Sequence, residues 1–278
     1  MSSPRLSLLL DAGSALINTA RKRRTPDDAT AVSGIVREGP LRCGREQAAR
    51  FAAFVGWTGD GLPPTWPYAL LTHLHFSLVN DARFPFPPLG LIHKRETIEV
   101  FTPLAPGAWR MRCELRSITE VERGHELSIT SELSVDGALV WRSTTLAFRR
   151  SPSPVAAAPP KTRPPPPSLE GAERWALPDG YGRRYAALSN NVDPIHMSRW
   201  SARLMGHRRA LMHGMWLGAR GLSAMGVASA PLRVELRFLS PVYLPAEVAF
   251  VKTAEGFGLY SPDGEKAHLL ASVGRPAP

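Results

Sequence analysis

The chain has 278 residues, 44% hydrophobic and 21% charged, with 27 Pro, 23 Gly and only 2 Cys. These proportions exclude a disordered chain, a collagen-like repeat and a disulfide scaffold, and the length suffices for two domains that each bury a core. The net charge of +10, carried by 29 Arg against 5 Lys, steers anionic partners toward the protein: nucleic acid, anionic membrane, coenzyme A phosphates or acidic carrier proteins.

Near the start, the apolar stretch at residues 6–10 is interrupted by Ser7 and followed by Asp11. It is too short for a signal sequence or a membrane span, so no membrane association is expected. Arg21, Lys22, Arg23 and Arg24 form the one dense charge run, read as the solvated end of an N-terminal helix rather than a nucleic-acid site. Cys43 and Cys113 are lone thiols without a CxxC partner, which points to a reducing, cytoplasmic setting and away from a zinc cluster.

Apolar spacing predicts helices over residues 45–55 and 68–79, separated by the breaker Leu62-Pro63-Pro64. Four antiparallel strands are expected at 91–101, 109–121, 125–135 and 138–148, with Asp136-Gly137 supplying the positive φ of a tight hairpin. Residues 151–168 contain eight prolines in eighteen positions and read as a linker. In the polyproline II form it would span on the order of 55 Å. Beyond it the order recurs: helices at 200–205 and 212–225, then strands at 232–239, 247–254, 258–261 and 266–273, with a turn at Ser261-Pro262-Asp263-Gly264. The expected organisation is an extension at 1–40, a first domain at 41–150, the linker, and a second domain at 169–278. The fold class is α+β, with two antiparallel sheets each curled around a central helix.

The chemistry concentrates in the second half. Tyr185, Ser189, Asn190, Asn191, Asp193, Pro194, Ile195 and His196 stand in one stretch, followed by Ala202, Gly206 and then His213-Gly214-Met215. This resembles the hydratase-2 motif of the MaoC-like acyl dehydratases, (R)-specific enoyl-thioester hydratases of the hot dog fold. Residues 234–244, and in the first half 62–67 and 84–93, are similar to the corresponding parts of double hot dog members. The resemblance thus covers most of the chain from about Gly44 onward, and implies a double hot dog architecture.

By motif position His196 is the acid/base, and the backbone N–H of Gly214 is the donor to the thioester oxygen. Reversible addition of water needs such a proton carrier and such a donor, and an imidazole suits neutral pH. The family's Asp falls at Asn191 here and its Asn at Asp193, so carboxylate and amide are exchanged. Three readings follow: Asp193 serves with His196, Asn191 positions the water, or the site binds acyl thioesters silently. Asp193 is also well placed to cap a helix. Tyr185, Ser189, His213 and Met215 are expected around the substrate. Arg203, Arg208 and Arg209 are candidates for phosphate contacts on coenzyme A or for an acyl carrier protein. His73 and His75 have no Asp- or Asn-rich loop before them and read as core or surface histidines.

No cofactor is implied. No His or Cys pair stands at metal-ligand spacing, Gly256-Phe-Gly258 lacks the third glycine of a dinucleotide fingerprint, and neither GxSxG nor a P-loop occurs. A hot dog thioesterase is the rival enzyme class. A homodimer is an open expectation, since the duplicated chain already supplies two halves.

Overall fold

A computed structural model describes residues 34–151, 167–227 and 230–276. The Arg21–Arg24 run, the stretch at 6–10 and most of the proline-rich segment lie outside the described residues.

The first half contributes β1 (Ile35–Cys43), α1 (Arg45–Val55), α2 (Trp66–Val79), β2 (Ile92–Val100), β3 (Gly107–Val121), β4 (Gly124–Val135) and β5 (Ala138–Arg150). The second contributes β6 (Glu173–Leu177), α3 (Tyr181–Ser189), α4 (Pro194–Met197), α5 (Arg199–Leu204), α6 (Gly214–Met225), β7 (Leu232–Phe238), β8 (Ala246–Thr253), β9 (Gly256–Tyr260) and β10 (Ala267–Gly274). Helix α1 occupies the predicted residues and stops at Gly56, whose φ of 70° provides the left-handed cap. Helix α2 starts two residues earlier than predicted, because Pro67 falls in the first turn, where its missing N–H costs nothing. Helix α6 starts at Gly214 rather than at residue 212. Met212 instead donates its N–H to Val242 O, and Leu211 bridges Tyr243, so this segment is held as a short ladder.

The expectation of two separate sheets is corrected. The strands form one antiparallel ten-stranded sheet in the order β1-β3-β4-β5-β2-β7-β10-β9-β8-β6. Read inward from either edge, each half runs first, third, fourth, fifth, second strand, so the two halves repeat one topology. The second strands, β2 and β7, meet in the middle from Arg95–Arg237 to Val100–Leu232. That pairing removes two edges that would otherwise present open backbone groups. Strand β1 pairs with β3 along its whole length and crosses the boundary drawn at residue 40.

Helices α2 and α6 each pack against the sheet of their own half. Their ends and α1 are joined by rings: Phe51 lies 4.7 Å from Trp66 and 6.1 Å from Tyr185, and Phe54 lies 5.6 Å from Trp216. Phe51, Trp66 and Tyr185 are almost wholly buried, and a large apolar side chain so placed contributes roughly 1.5–3 kcal/mol. The chain N-terminal to α2 therefore packs against the second half's helices as well as its own. No helix among the described residues is long and apolar enough to cross a membrane.

Candidate active site

Two segments on either side of α5 build the site. Residues 190–193 leave α3 through Asn190, in the left-handed conformation at φ 56°. The Asn191 side chain accepts the Asp193 N–H at 3.3 Å, and its N–H reaches Ser189 Oγ at 3.3 Å. Asp193 Oδ1 then accepts the Ile195 N–H at 3.2 Å, capping α4 and setting His196 in its first turn. After α4, Ser198 and Ser201 close a reciprocal capping box, and Ser201 Oγ donates to Pro194 O at 2.7 Å. His196 is therefore held from both sides.

The imidazole orientation follows from its partner. Nδ1 lies 2.9 Å from Leu211 O, an acceptor, so Nδ1 carries the hydrogen and Nε2 holds the lone pair. Gly182 of α3 makes this possible: a Cβ there would stand 2.3 Å from His196 O and 3.4 Å from Leu211 O. Burial pushes the His196 pKa down from 6.5, while the neighbouring Asp193 carboxylate pulls it back up.

His213, the residue before α6, stacks on His196 with ring centroids 3.6 Å apart and 24° between planes. Its Nε2–H donates to Asn191 O at 3.3 Å, and buried Nδ1 has no partner among the described residues. Burial, and then the adjoining His196, drive its pKa well below 6.5. Two imidazoles this close do not share two positive charges, so a proton arriving at the pair goes to His196. Tyr185 closes the far side at 4.6 Å from His213, with its pKa raised by burial, and Ser189 is buried beneath, donating to Tyr185 O.

Gly214 opens α6, so its N–H is among those without an intrahelical acceptor. Any side chain there would drive a Cβ to 2.7 Å from the Phe238 ring. Met215 is buried in the core, 5% exposed, rather than open to a substrate. Arg208 and Arg209 line a cleft of about 300 Å³ with Tyr243, Ser261, Lys266 and His268. Arg203 is exposed, lies over Trp200 and does not line that cleft. No cluster of metal-ligating side chains occurs among the described residues.

Sequence reasoning did not single out Gly182, the Leu211 carbonyl or Phe238. A glycine inside a helical stretch was the one available signal for the first; a backbone carbonyl leaves none.

No family profile matches the sequence. Over 218 residues the chain is 32% identical to 3-hydroxyacyl-thioester dehydratase X of Mycobacterium tuberculosis, covering 76% of each protein. The chain belongs to the MaoC-like dehydratase family. The crystal structure of that relative, HtdX, superposes with a TM-score of 0.72, covering 86% of this chain and all of the other at 26% identity. A MaoC-like dehydratase from Phytophthora capsici gives a TM-score of 0.70 at 14% identity, covering 91% of this chain and 98% of that one. A further M. tuberculosis protein, described as having a double hot dog fold, gives 0.53 at 14% identity over 87% and 94% of the two chains. This dehydratase-family chain thus has the hot dog fold, a large antiparallel sheet with helices packed against it.

Proposed function

We propose that this chain dehydrates (R)-3-hydroxyacyl thioesters and, in reverse, hydrates trans-2-enoyl thioesters, on a double hot dog scaffold whose second half carries the chemistry. The carrying observation is the His196 ring, whose Nδ1–H is committed to Leu211 O and whose Nε2 lone pair is therefore left for a proton. In the dehydrating direction Nε2 takes the proton from Cα, and negative charge gathers on the thioester oxygen against the Gly214 N–H at the start of α6. The same proton then passes from the imidazolium to the C3 hydroxyl, which leaves as water, so the residue ends neutral as it began. Asp193, which favours the charged ring, stabilises that imidazolium. Asn191 shapes the turn through its contacts to Asp193 and His213 and needs no proton of its own.

The carrier is coenzyme A or an acyl carrier protein. Arg208 and Arg209, with Lys266, offer cations in a cleft that also contains Val242 and Tyr243; Met212 donates to Val242 O, and its neighbour Leu211 holds the His196 ring through its carbonyl. A phosphate group on the thioester's carrier fits there. Tyr185 and His213 wall the acyl side, and Ser189 braces Tyr185 from beneath. Two buried free thiols support a cytoplasmic location, and a homodimer is the remaining assembly proposal.

The test is the loss of enoyl absorbance with trans-2-enoyl-CoA substrates from short to long. Turnover abolished by His196→Ala is the expected result. Absence of turnover at every length, while the same ligands still raise the thermal midpoint, would overturn the catalytic reading.

A further inference from the structure

Helix α5 turns one face to water, and that face carries the two most exposed large apolar side chains among the described residues. Ala202 faces inward and is fully buried, whereas Arg199, Trp200, Arg203 and Leu204 are all exposed. Trp200 and Leu204 stand one helical turn apart, as do Arg199 and Arg203. Trp200 is 74% and Leu204 88% exposed. Single apolar side chains scattered over a surface need no explanation, but a tryptophan and a leucine side by side, both pointing outward, form a patch. The helix that holds them is firmly placed. Its Ser198–Ser201 cap is tied to Pro194 O, and the His207 N–H returns to Ala202 O, so α5 and the His196 turn are held as one unit.

The charge around this face has one sign. From Gly180 to Val234 the sequence has eight arginines and one carboxylate, Asp193, whose Oδ1 is engaged in capping α4. Five of those arginines surround α5. Arg183 donates to Met197 O just before it, Arg199 and Arg203 lie on it, with Arg203 over the Trp200 ring, and Arg208 and Arg209 follow in the loop beyond. None of the five forms an ion pair among the described residues, whereas Arg37, Arg110, Arg112 and Arg142 of the first half do. Glu247, which lines the cleft beside Arg208 and Arg209, is itself paired with Arg174.

We propose that this face docks on an anionic lipid bilayer, with Trp200 and Leu204 entering the headgroup layer and the arginines engaging lipid phosphates. Both apolar side chains project into solvent, as entry into a fluid interface requires, and the cleft lined by Arg208 and Arg209 includes no residue of α5. An indole favours the headgroup level, and an arginine keeps its guanidinium in the polar layer while its stem lies along apolar surface. A second copy of the chain does not fit, because a two-fold contact would set the same arginines against each other. A protein partner would bury about 800 Å² a side and is specified by patterned charge; two side chains among cations of one sign match a uniformly anionic surface instead. Nucleic acid shares that charge but offers Leu204 no apolar layer to enter. Such attachment is peripheral and needs no spanning helix. His196 stands three residues before Arg199, so docking brings the active turn beside the bilayer, where a long-chain acyl thioester, an amphiphile, concentrates. Binding of this kind stands independently of the dehydratase reading.

The experiment sediments the full chain with vesicles of phosphatidylcholine, either pure or mixed with phosphatidylglycerol at roughly one part in three. Partition onto the anionic vesicles should exceed that onto the neutral ones by about tenfold or more and should weaken as salt rises. Trp200→Ala combined with Leu204→Ala should lower it by about tenfold, and Arg199→Gln combined with Arg203→Gln by roughly twentyfold, about fivefold for each charge. All four side chains are exposed, so the thermal midpoint should not move. Arg110→Gln with Arg116→Gln, exposed on β3 of the first half, removes the same net charge and should leave the partition nearly unchanged. No preference for anionic vesicles would overturn the docking surface, as would a loss equally large in the β3 pair. Binding that survives the α5 variants and disappears when residues 21–24 are neutralised would overturn it too. Retention on poly-L-glutamate that depends on α5, without vesicle binding, would replace the bilayer with an acidic protein.

Discussion

The two halves repeat one strand order but treat the central helix in opposite ways. Helix α6 presents glycines to its sheet: at Gly218 an added Cβ would come within 2.5 Å of the Leu236 side chain, and at Gly221 within 2.1 Å of the Phe257 ring. Helix α2 presents Tyr68, Thr72 and His75 and rests over Glu96, Thr145 and Ser131. Close approach over an apolar surface fixes α6, and so aims its first N–H groups at one place. Beneath α2, Glu96 Oε1 and the Ser143 hydroxyl are instead buried without partners among the described residues. The second half thus holds its helix by close apolar contact, and the first places polar groups under its own.

The sharpest test of that asymmetry is His196→Ala. It should lower kcat by ~10²–10⁴ with the circular dichroism spectrum unchanged, as expected when a general acid/base is lost; a smaller loss would move the chemistry elsewhere. Next comes Asp193→Asn, for which a fall of roughly tenfold or more is expected, together with a downward shift of the acidic limb of the kcat/KM profile as His196 loses its anionic neighbour. Asn191→Asp should bring no gain, and a large gain would show that the exchanged pair had silenced the site.

Gly182→Ala probes positioning rather than proton transfer. Its Cβ cannot coexist with His196 O at 2.3 Å, so overpacking should cost about 1–3 kcal/mol in urea unfolding and lower kcat/KM by displacing the ring.

The smallest effect is on pH stability. His75, His196 and His213 all have folded pKa values below 6.5, with His75 at about 3. The unfolded chain binds protons there that the folded protein refuses, so their contribution is whole above pH 6.5 and is lost progressively as pH falls toward 3. Urea midpoints at pH 7.5 and 5 should differ in that sense, and His75→Phe should reduce the difference.

What could be read in the sequence follows from how local each signal was. Helix α1 and strands β3 to β5 carry their own periodicity, and the Asp193-Pro-Ile-His196 run carries its own cap. Strand β1 runs through Gly39-Pro40, which reads as a turn, yet nine residues pair with β3 because Pro40 falls on an edge strand. Strand β6 has five residues and only β8 to lean on. Helix α3 is hidden because Tyr185 and Ser189 sit in a stretch legible as an active loop. The Glu96 network is spread over four strands and a helix. In sequence, Lys94, Arg95 and Glu96 look like the solvated face of a strand; only tertiary packing turns Glu96 inward.

The pairing of β2 with β7 has a further meaning for how the molecule comes into being. Most strand contacts stay within one half, between segments close in sequence, whereas this ladder joins Arg95 to Arg237 from opposite halves of the chain. Closing so long a loop is entropically slow, so each half should take shape before the central ladder zips. The ring contacts of Phe51 with Tyr185 and of Phe54 with Trp216 likewise join the two halves and come into being with that ladder. During biosynthesis, then, the surroundings of Tyr185 and of the start of α6 are completed last, at the moment the two parts of the polypeptide recognise each other.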